Sequence, residues 1–301
     1  MKKQFSPLIF LCLLLCGCAP AEPPAQIAAT TLPVWEFTSR LCEGTPLTVT
    51  RLVTEEVSCL HDYSLNVRQV KAAEAAEVIV ISGAGLEDFL DDLLLDANTI
   101  DASHGISLLV PEESHDHTHE TAENPHSAHD HEGHTHDTDP HIWLSPENAR
   151  AMSFNIWQGL CEQYPDYSDT FTDNLFALTD DFDALKIYGD KTLSNLKSRE
   201  IITFHDGFSY FAQAFDLEIL RAVEEESGSE ASAKELIHLI EEVEHHNLPA
   251  IFTEKSGSVS AAGIIARETG CGNFCLDMAM AGDSYFDAMY HNIDTIQEAL
   301  G

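Results

Sequence analysis

Strand and helix signals alternate along this chain in two blocks, and a long polar helical stretch without an interior proline separates them. In the first block, Ile27–Leu32 reads as a strand, Val34–Cys42 as a helix and Leu47–Val53 as a strand. Leu65–Ala76 follows as a helix, Glu77–Ser82 as a buried strand around Val-Ile-Val-Ile, Leu86–Leu95 as a helix and Ile106–Val110 as a strand. Helices are expected over Pro146–Cys161 and, as the long stretch, Asp169–Leu196. The second block runs Glu200–Phe204 strand, Phe208–Phe215 helix, Leu217–Val223 strand, Ser232–His246 helix, Pro249–Thr253 strand, Ser258–Thr269 helix, Asn273–Leu276 strand and Asp283–Leu300 helix. Ser232 with Glu235 three residues on has capping-box spacing, and Gly270 is placed to end its helix. Such alternation predicts an α/β fold of two lobes with mainly parallel sheets, joined by a long helix. In open α/β sheets, ligands sit beyond the carboxyl ends of the strands.

Residues 111–140 break the alternation. They carry few large apolar side chains and eight of the chain's 16 histidines: His115, His117, His119, His126, His129, His131, His134 and His136. Asp116, Glu120, Asp130, Glu132 and Asp137 are interleaved with them. This stretch cannot bury a core and reads as a loosely held loop, and imidazoles so dense offer many weak metal geometries. The alternative is a solvated insertion with no transport role.

The charge is lopsided: 51 acids against 15 Lys and Arg give a formal net charge of -36. Nucleic acid and anionic lipid surfaces, which call for clustered cations, are thereby excluded as partners. Cations are attracted, although acidity can also serve only to keep an exported protein soluble. The N-terminus is more specific. Lys2 and Lys3, an apolar run over residues 8–15 and a small residue before a cut site describe an export signal rather than a membrane helix. Leu15-Cys16-Gly17-Cys18 resembles the bacterial lipobox, which implies cleavage before Cys18 and its lipidation; a plain secretory signal is the alternative. The expected organisation is a signal at 1–17, a lipidated tether at 18–26, a first lobe at 27–165 carrying the 111–140 loop, a linking helix at 166–198 and a second lobe at 199–301. Five cysteines follow the signal: Cys42, Cys59, Cys161, Cys271 and Cys275. None forms a CxxC pair, which argues against a Cys-based zinc site. Cys271 with Cys275 and Cys42 with Cys59 are the candidate disulfides.

His61, His141 and His205 each lie after or beside a predicted strand end, and Asp277 follows the predicted strand Asn273–Leu276. Neutral imidazole suits zinc, which takes about four N, S or O ligands in tetrahedral geometry. Each histidine alone is better explained as a loop or capping residue, and spacing does not bring them together. The motifs around them say more. Asp139-Pro140-His141-Ile142-Trp143-Leu144-Ser145-Pro146 and Phe204-His205-Asp206-Gly207-Phe208-Ser209-Tyr210-Phe211 are the most specific. With them go Thr30-Thr31-Leu32-Pro33-Val34, Ser82-Gly83-Ala84-Gly85-Leu86-Glu87, Glu254 with Ser258 and Ile264–Gly270, and Gly282-Asp283-Ser284-Tyr285-Phe286 with Met289 and Asn292. Over nearly the whole mature chain, these resemble the metal-binding solute-binding proteins of ABC importers, in particular the zinc-uptake branch.

The resemblance implies two α/β lobes held by a rigid long helix, one Zn2+ site in the cleft between them, and His61, His141, His205 and Asp277 as ligands. It implies a membrane permease as partner and contact with the membrane only through the lipid anchor; a monomer is expected. A His-rich insertion before the second ligand motif, as here, implies a low-affinity zinc collector or sensor. Where manganese-binding relatives carry Glu, this chain has His205, which favours zinc. The first ligand motif departs from the family pattern, which commonly has Pro before the ligand and Glu-Pro after it; here Ser58-Cys59-Leu60-His61-Asp62-Tyr63 stands instead. Cys59 and, near Asp277, Asp283 are alternative donors. A manganese receptor of the same fold, or a zinc-storage or adhesion lipoprotein, are the other binding functions. A zinc hydrolase needs an open coordination position and a general base; no HExxH or GxSxG occurs, and no enzymatic activity is expected.

Overall fold

The buried apolar runs Ile27–Ala29 and Val78–Ile81 become the two central strands of the first sheet. The computed structural model describes residues 25–301 except 56, 58–59, 61–62, 96, 111–137, 225–231 and 256–258. In the first half, β1 (Ile27–Ala29), β2 (Val49–Arg51), β3 (Val78–Ile81) and β4 (Thr99–Asp101) form one sheet in the order β2-β1-β3-β4, every pair parallel. Helices α1 (Leu32–Leu41), α2 (Val67–Ala75) and α3 (Asp91–Leu94) provide the crossovers. Asn66 caps α2 in a full capping box with Gln69.

α4 (Pro146–Gln163) and α5 (Ser168–Thr192) follow. At about 1.5 Å per residue, α5 is roughly 37 Å long. It touches both halves: Asp181 pairs with Arg40 of α1, the Phe182 and Phe37 rings meet edge-to-face at 5.2 Å, and the Tyr188 hydroxyl donates to Asp294 near the end of the chain.

The second half repeats the first. β5 (Glu200–His205), β6 (Glu218–Glu224), β7 (Ala250–Glu254) and β8 (Gly272–Leu276) form a parallel sheet in the order β6-β5-β7-β8. Between and after these strands stand α6 (Ser209–Ala214), α7 (Ala233–His246), α8 (Val259–Thr269) and α9 (Tyr285–Leu300). Ser232 and Glu235 form the expected capping box on α7, and Gly270 ends α8 at φ +78°. The architecture is therefore two α/β lobes with parallel sheets and a long helix, as the alternation predicts. One hydrophobic cluster runs through both lobes and includes Phe37, Trp143, Phe182, Phe211, Met278 and Tyr285.

Several expectations need correction. The fourth strand of the first sheet is Thr99–Asp101, not Ile106–Val110. Residues 106–110 run without strand pairing, with Ile106, Leu108 and Leu109 packed against the core; the Leu109 backbone accepts from Asp139 N and donates to the Tyr210 hydroxyl. The helix expected over Leu86–Leu95 shrinks to a 3-10 turn at Asp88–Leu90 and one turn of α3. Cys271 and Cys275 are free thiols. Four residues apart at the edge of and within β8, they are separated by about 13 Å of extended chain, beyond the reach of a disulfide. Cys42 is also a free thiol, and burial pushes its pKa up to about 12; its candidate partner Cys59 lies outside the described residues.

Candidate metal centre

In both sheets the first strand has neighbours on either side that leave it in opposite chain directions, so a crevice opens at the carboxyl ends of β1/β3 and of β5/β7. In the first lobe this crevice is filled. The Glu87 carboxylate is buried there and accepts from Thr30 Oγ1 at 2.6 Å, Ser82 N at 2.7 Å and Gly83 N at 2.9 Å. In the second lobe the strand ends carry chemistry. Thr203 of β5 is level with Phe252 of β7, so His205 and Glu254, two residues further along each strand, stand side by side. Glu254 pairs with Leu276 of β8, and Asp277 comes next.

His205 meets His141, which arrives from the other half of the chain. Their Nε2 atoms are 3.4 Å apart, with the rings perpendicular. Both are buried, His141 at 3% and His205 at 2% exposure, so neither is an ordinary solvated loop histidine. Two nitrogens bound at about 2.0–2.1 Å to one tetrahedral zinc ion stand roughly 3.3–3.4 Å apart. The observed separation matches one edge of such a tetrahedron.

The orientation of His141 is fixed from behind. Its Nδ1 lies 2.8 Å from Asp139 Oδ1, which also accepts the His141 backbone N–H at 2.9 Å. A carboxylate acceptor at Nδ1 places the ring proton there and leaves the Nε2 lone pair facing His205, the arrangement that metal-ligating histidines adopt. Asp139 Oδ2 is buried without a hydrogen-bond partner. The Trp143 ring packs against His141 at 5.4 Å, and its Nε1–H donates to Met278 O at 2.8 Å, which ties this motif to the loop after β8. On the other side, a Cβ on Gly207 would stand 2.7 Å from both His205 Cδ2 and Met278 Cε. Only glycine leaves the His205 ring its place.

Asp277 is buried at the start of the same loop. Asn292 of α9 clamps its backbone from both sides: Asp277 N donates to Asn292 Oδ1 and Asn292 Nδ2 to Asp277 O, each at 2.7 Å. Its Oδ1 accepts Ala279 N at 2.8 Å, and its Oδ2 is ion-paired with Lys255. Asp283, by contrast, is exposed and lies close enough to Arg51 to perturb it electrostatically.

Of the residues expected to bind metal, the structure brings His141 and His205 together and sets Asp277 one residue from Met278, which touches both motifs. Among the described residues, no group of three His, Cys, Asp or Glu side chains is gathered around one point. His61 and Cys59, the loop histidines His115, His117, His119, His126, His129, His131, His134 and His136, and Cys18 lie outside the described residues. Sequence reasoning did not assign roles to Asp139, Gly207, Lys255 or Asn292. An acid two residues before His141 was a readable signal for the first; the Lys255 and Asn292 contacts depend on tertiary placement.

Among the described residues, no helix is long and apolar enough to cross a membrane. Comparison with known proteins gives a consistent picture. The zinc-binding lipoprotein AdcA of Streptococcus pneumoniae serotype 4 is 29% identical over 99% of this chain and 61% of its own length. The zinc-binding protein AdcA of Streptococcus pyogenes serotype M3 is 28% identical over 92% of this chain and 56% of its own. The chain thus spans little more than half the length of these relatives. A crystal structure of ZnuA superimposes with a TM-score of 0.75 at 26% identity, covering 92% of this chain and all of that one. The profile of the zinc-uptake complex component A (ZnuA) periplasmic family matches residues 27–299. The chain belongs to that family of periplasmic zinc-uptake components.

Proposed function

We propose that this protein captures Zn2+ at high affinity between its two lobes and delivers it to the permease of an ABC-type importer. The observation that carries the proposal is the His141–His205 pair: two buried imidazole nitrogens 3.4 Å apart, one ring oriented by a carboxylate. Nothing in this arrangement performs bond chemistry; it holds a cation. His61 and Asp277 complete the ligand set, with Asp277 favoured over the exposed Asp283 because it is buried and directly precedes Met278, which packs at Gly207 beside His205. Imidazole-rich donors suit zinc over manganese, which prefers oxygen. The AdcA relatives, whose names describe zinc binding, support the same cargo.

Around this site, Cys18 carries the lipid that holds a monomer at the outer face of the membrane, and the histidines between 115 and 136 collect zinc weakly. The lobes expected over 27–165 and 199–301 each contribute ligands, and the helix between them keeps the cleft geometry.

Calorimetric titration of the mature protein with zinc tests this. One tight site is expected, weakened more than about 100-fold by His141→Ala or His205→Ala, with weak additional sites that vanish when residues 115–136 are deleted. Unchanged tight binding in both histidine variants would sink the proposal.

A further inference from the structure

Asp277 does not stand alone at the edge of the second sheet. Its Oδ1 is taken by the Ala279 backbone N–H and its Oδ2 by the Lys255 ammonium. Lys255 directly follows β7, so strand pairing sets it beside the residue that follows β8. Its side chain is 55% exposed, whereas that of Asp277 is 10% exposed, so the ammonium reaches from the surface to a buried carboxylate. Asn292 holds the Asp277 backbone and the Ala279 N–H holds its Oδ1, whereas the lysine stem is long and has four rotatable side-chain bonds.

The geometry points to Lys255 as the residue that tunes zinc affinity and release, by holding the Asp277 oxygen that the incoming cation takes. This inference rests on the zinc-binding function proposed above. Two cations cannot share one carboxylate oxygen without strong repulsion, so the ammonium must give way when zinc uses Oδ2. Capture is weakened by the ion pair it breaks. Release is helped by the same amount, because the ammonium returns and spares a buried carboxylate the cost of standing unpaired. Zinc exchanges for ammonium on one oxygen, and no covalent bond changes. For a receptor that must give up its cargo, a resident counter-ion is a simple way to limit tightness.

A double-mutant cycle on the full chain tests the idea, with zinc affinity read by competition against a chromophoric chelator and release followed by stopped-flow. Lys255→Gln and Lys255→Met are expected to bind zinc about five- to tenfold more tightly and to release it correspondingly more slowly. Lys255→Arg, which keeps the charge, is expected to stay near wild type. In an Asp277→Asn background the Lys255→Gln gain should disappear. Equal or weaker binding by both neutral variants overturns the role of Lys255, as does a gain that persists undiminished in the Asp277→Asn background. Either result leaves zinc binding by the wild type intact. Failure of the wild type to bind zinc, or tight binding that survives His141→Ala, instead overturns the zinc-binding function itself.

Discussion

Glu87 occupies in the first lobe the kind of crevice that His205 lines in the second, and the two carry opposite chemistry. Burial raises the Glu87 pKa from the ordinary 4.5 to about 7, against three hydrogen bonds that lower it. Below pH 4.5 the carboxyl is protonated folded or unfolded. Between 4.5 and about 7 the folded protein keeps a proton that the unfolded chain gives up. Stability from this group is therefore full at low pH and lost as pH rises to about 7, with a slope of up to ~1.4 kcal/mol per pH unit. Denaturation midpoints measured from about pH 5 to 8 should fall with pH in the wild type and fall less in Glu87→Gln; parallel slopes would refute this. At this scale the site was partly legible. His141 and His205 stood out because their flanking residues formed specific motifs, not because of their spacing. Asp139 was visible beside His141 but its acceptor role needed coordinates. Lys255 was invisible, since a lysine after a strand signals nothing until the neighbouring strand is placed.

Among the elements, α5 best shows how a single residue fixes the meeting of two others. Gly189 lies inside this helix, where glycine costs about 1 kcal/mol relative to alanine. A Cβ there would stand 2.2 Å from Phe215 Cε1, a ring buried at the end of α6. Overpacking of this kind typically costs about 1–3 kcal/mol, more than the gain in helix propensity. Gly189→Ala should therefore lower stability by up to about 2 kcal/mol net, seen as a lower melting temperature with unchanged helical circular dichroism; a rise in melting temperature would show that Phe215 yields freely. Long periodic stretches and capping signals made α4, α5, α7 and α9 readable to within a few residues. β4 was not readable, because Thr99-Ile100-Asp101 carries one apolar residue, whereas residues 106–110 look like a strand yet pack as an unpaired segment against the core. Tertiary placement outweighs local propensity in runs this short.

Over the whole molecule, the two lobes are stitched rather than hinged. Trp143 donates to Met278 O and accepts the Tyr285 hydroxyl at its own carbonyl, both at 2.8 Å; Tyr210 donates to Asp139 O at 3.0 Å; Arg51 donates to Gly282 O at 2.8 Å. With a common core beneath these bonds and α5 alongside, zinc should leave the radius of gyration unchanged within error in small-angle scattering; a clear contraction would show a closing hinge. The repeated strand order of the two sheets was beyond sequence periodicity, which gives the alternation but not which strands are neighbours. The sequence separation of 64 residues between His141 and His205 has a kinetic side. Parallel pairing through crossovers is slow to form, because long loops must close before any contact rewards them. Until both sheets have formed and docked, the chain offers only scattered imidazoles with no common geometry. On the proposed function, tight capture is thus a property of the finished molecule alone, and zinc binding selectively to that state would pull the last docking step to completion.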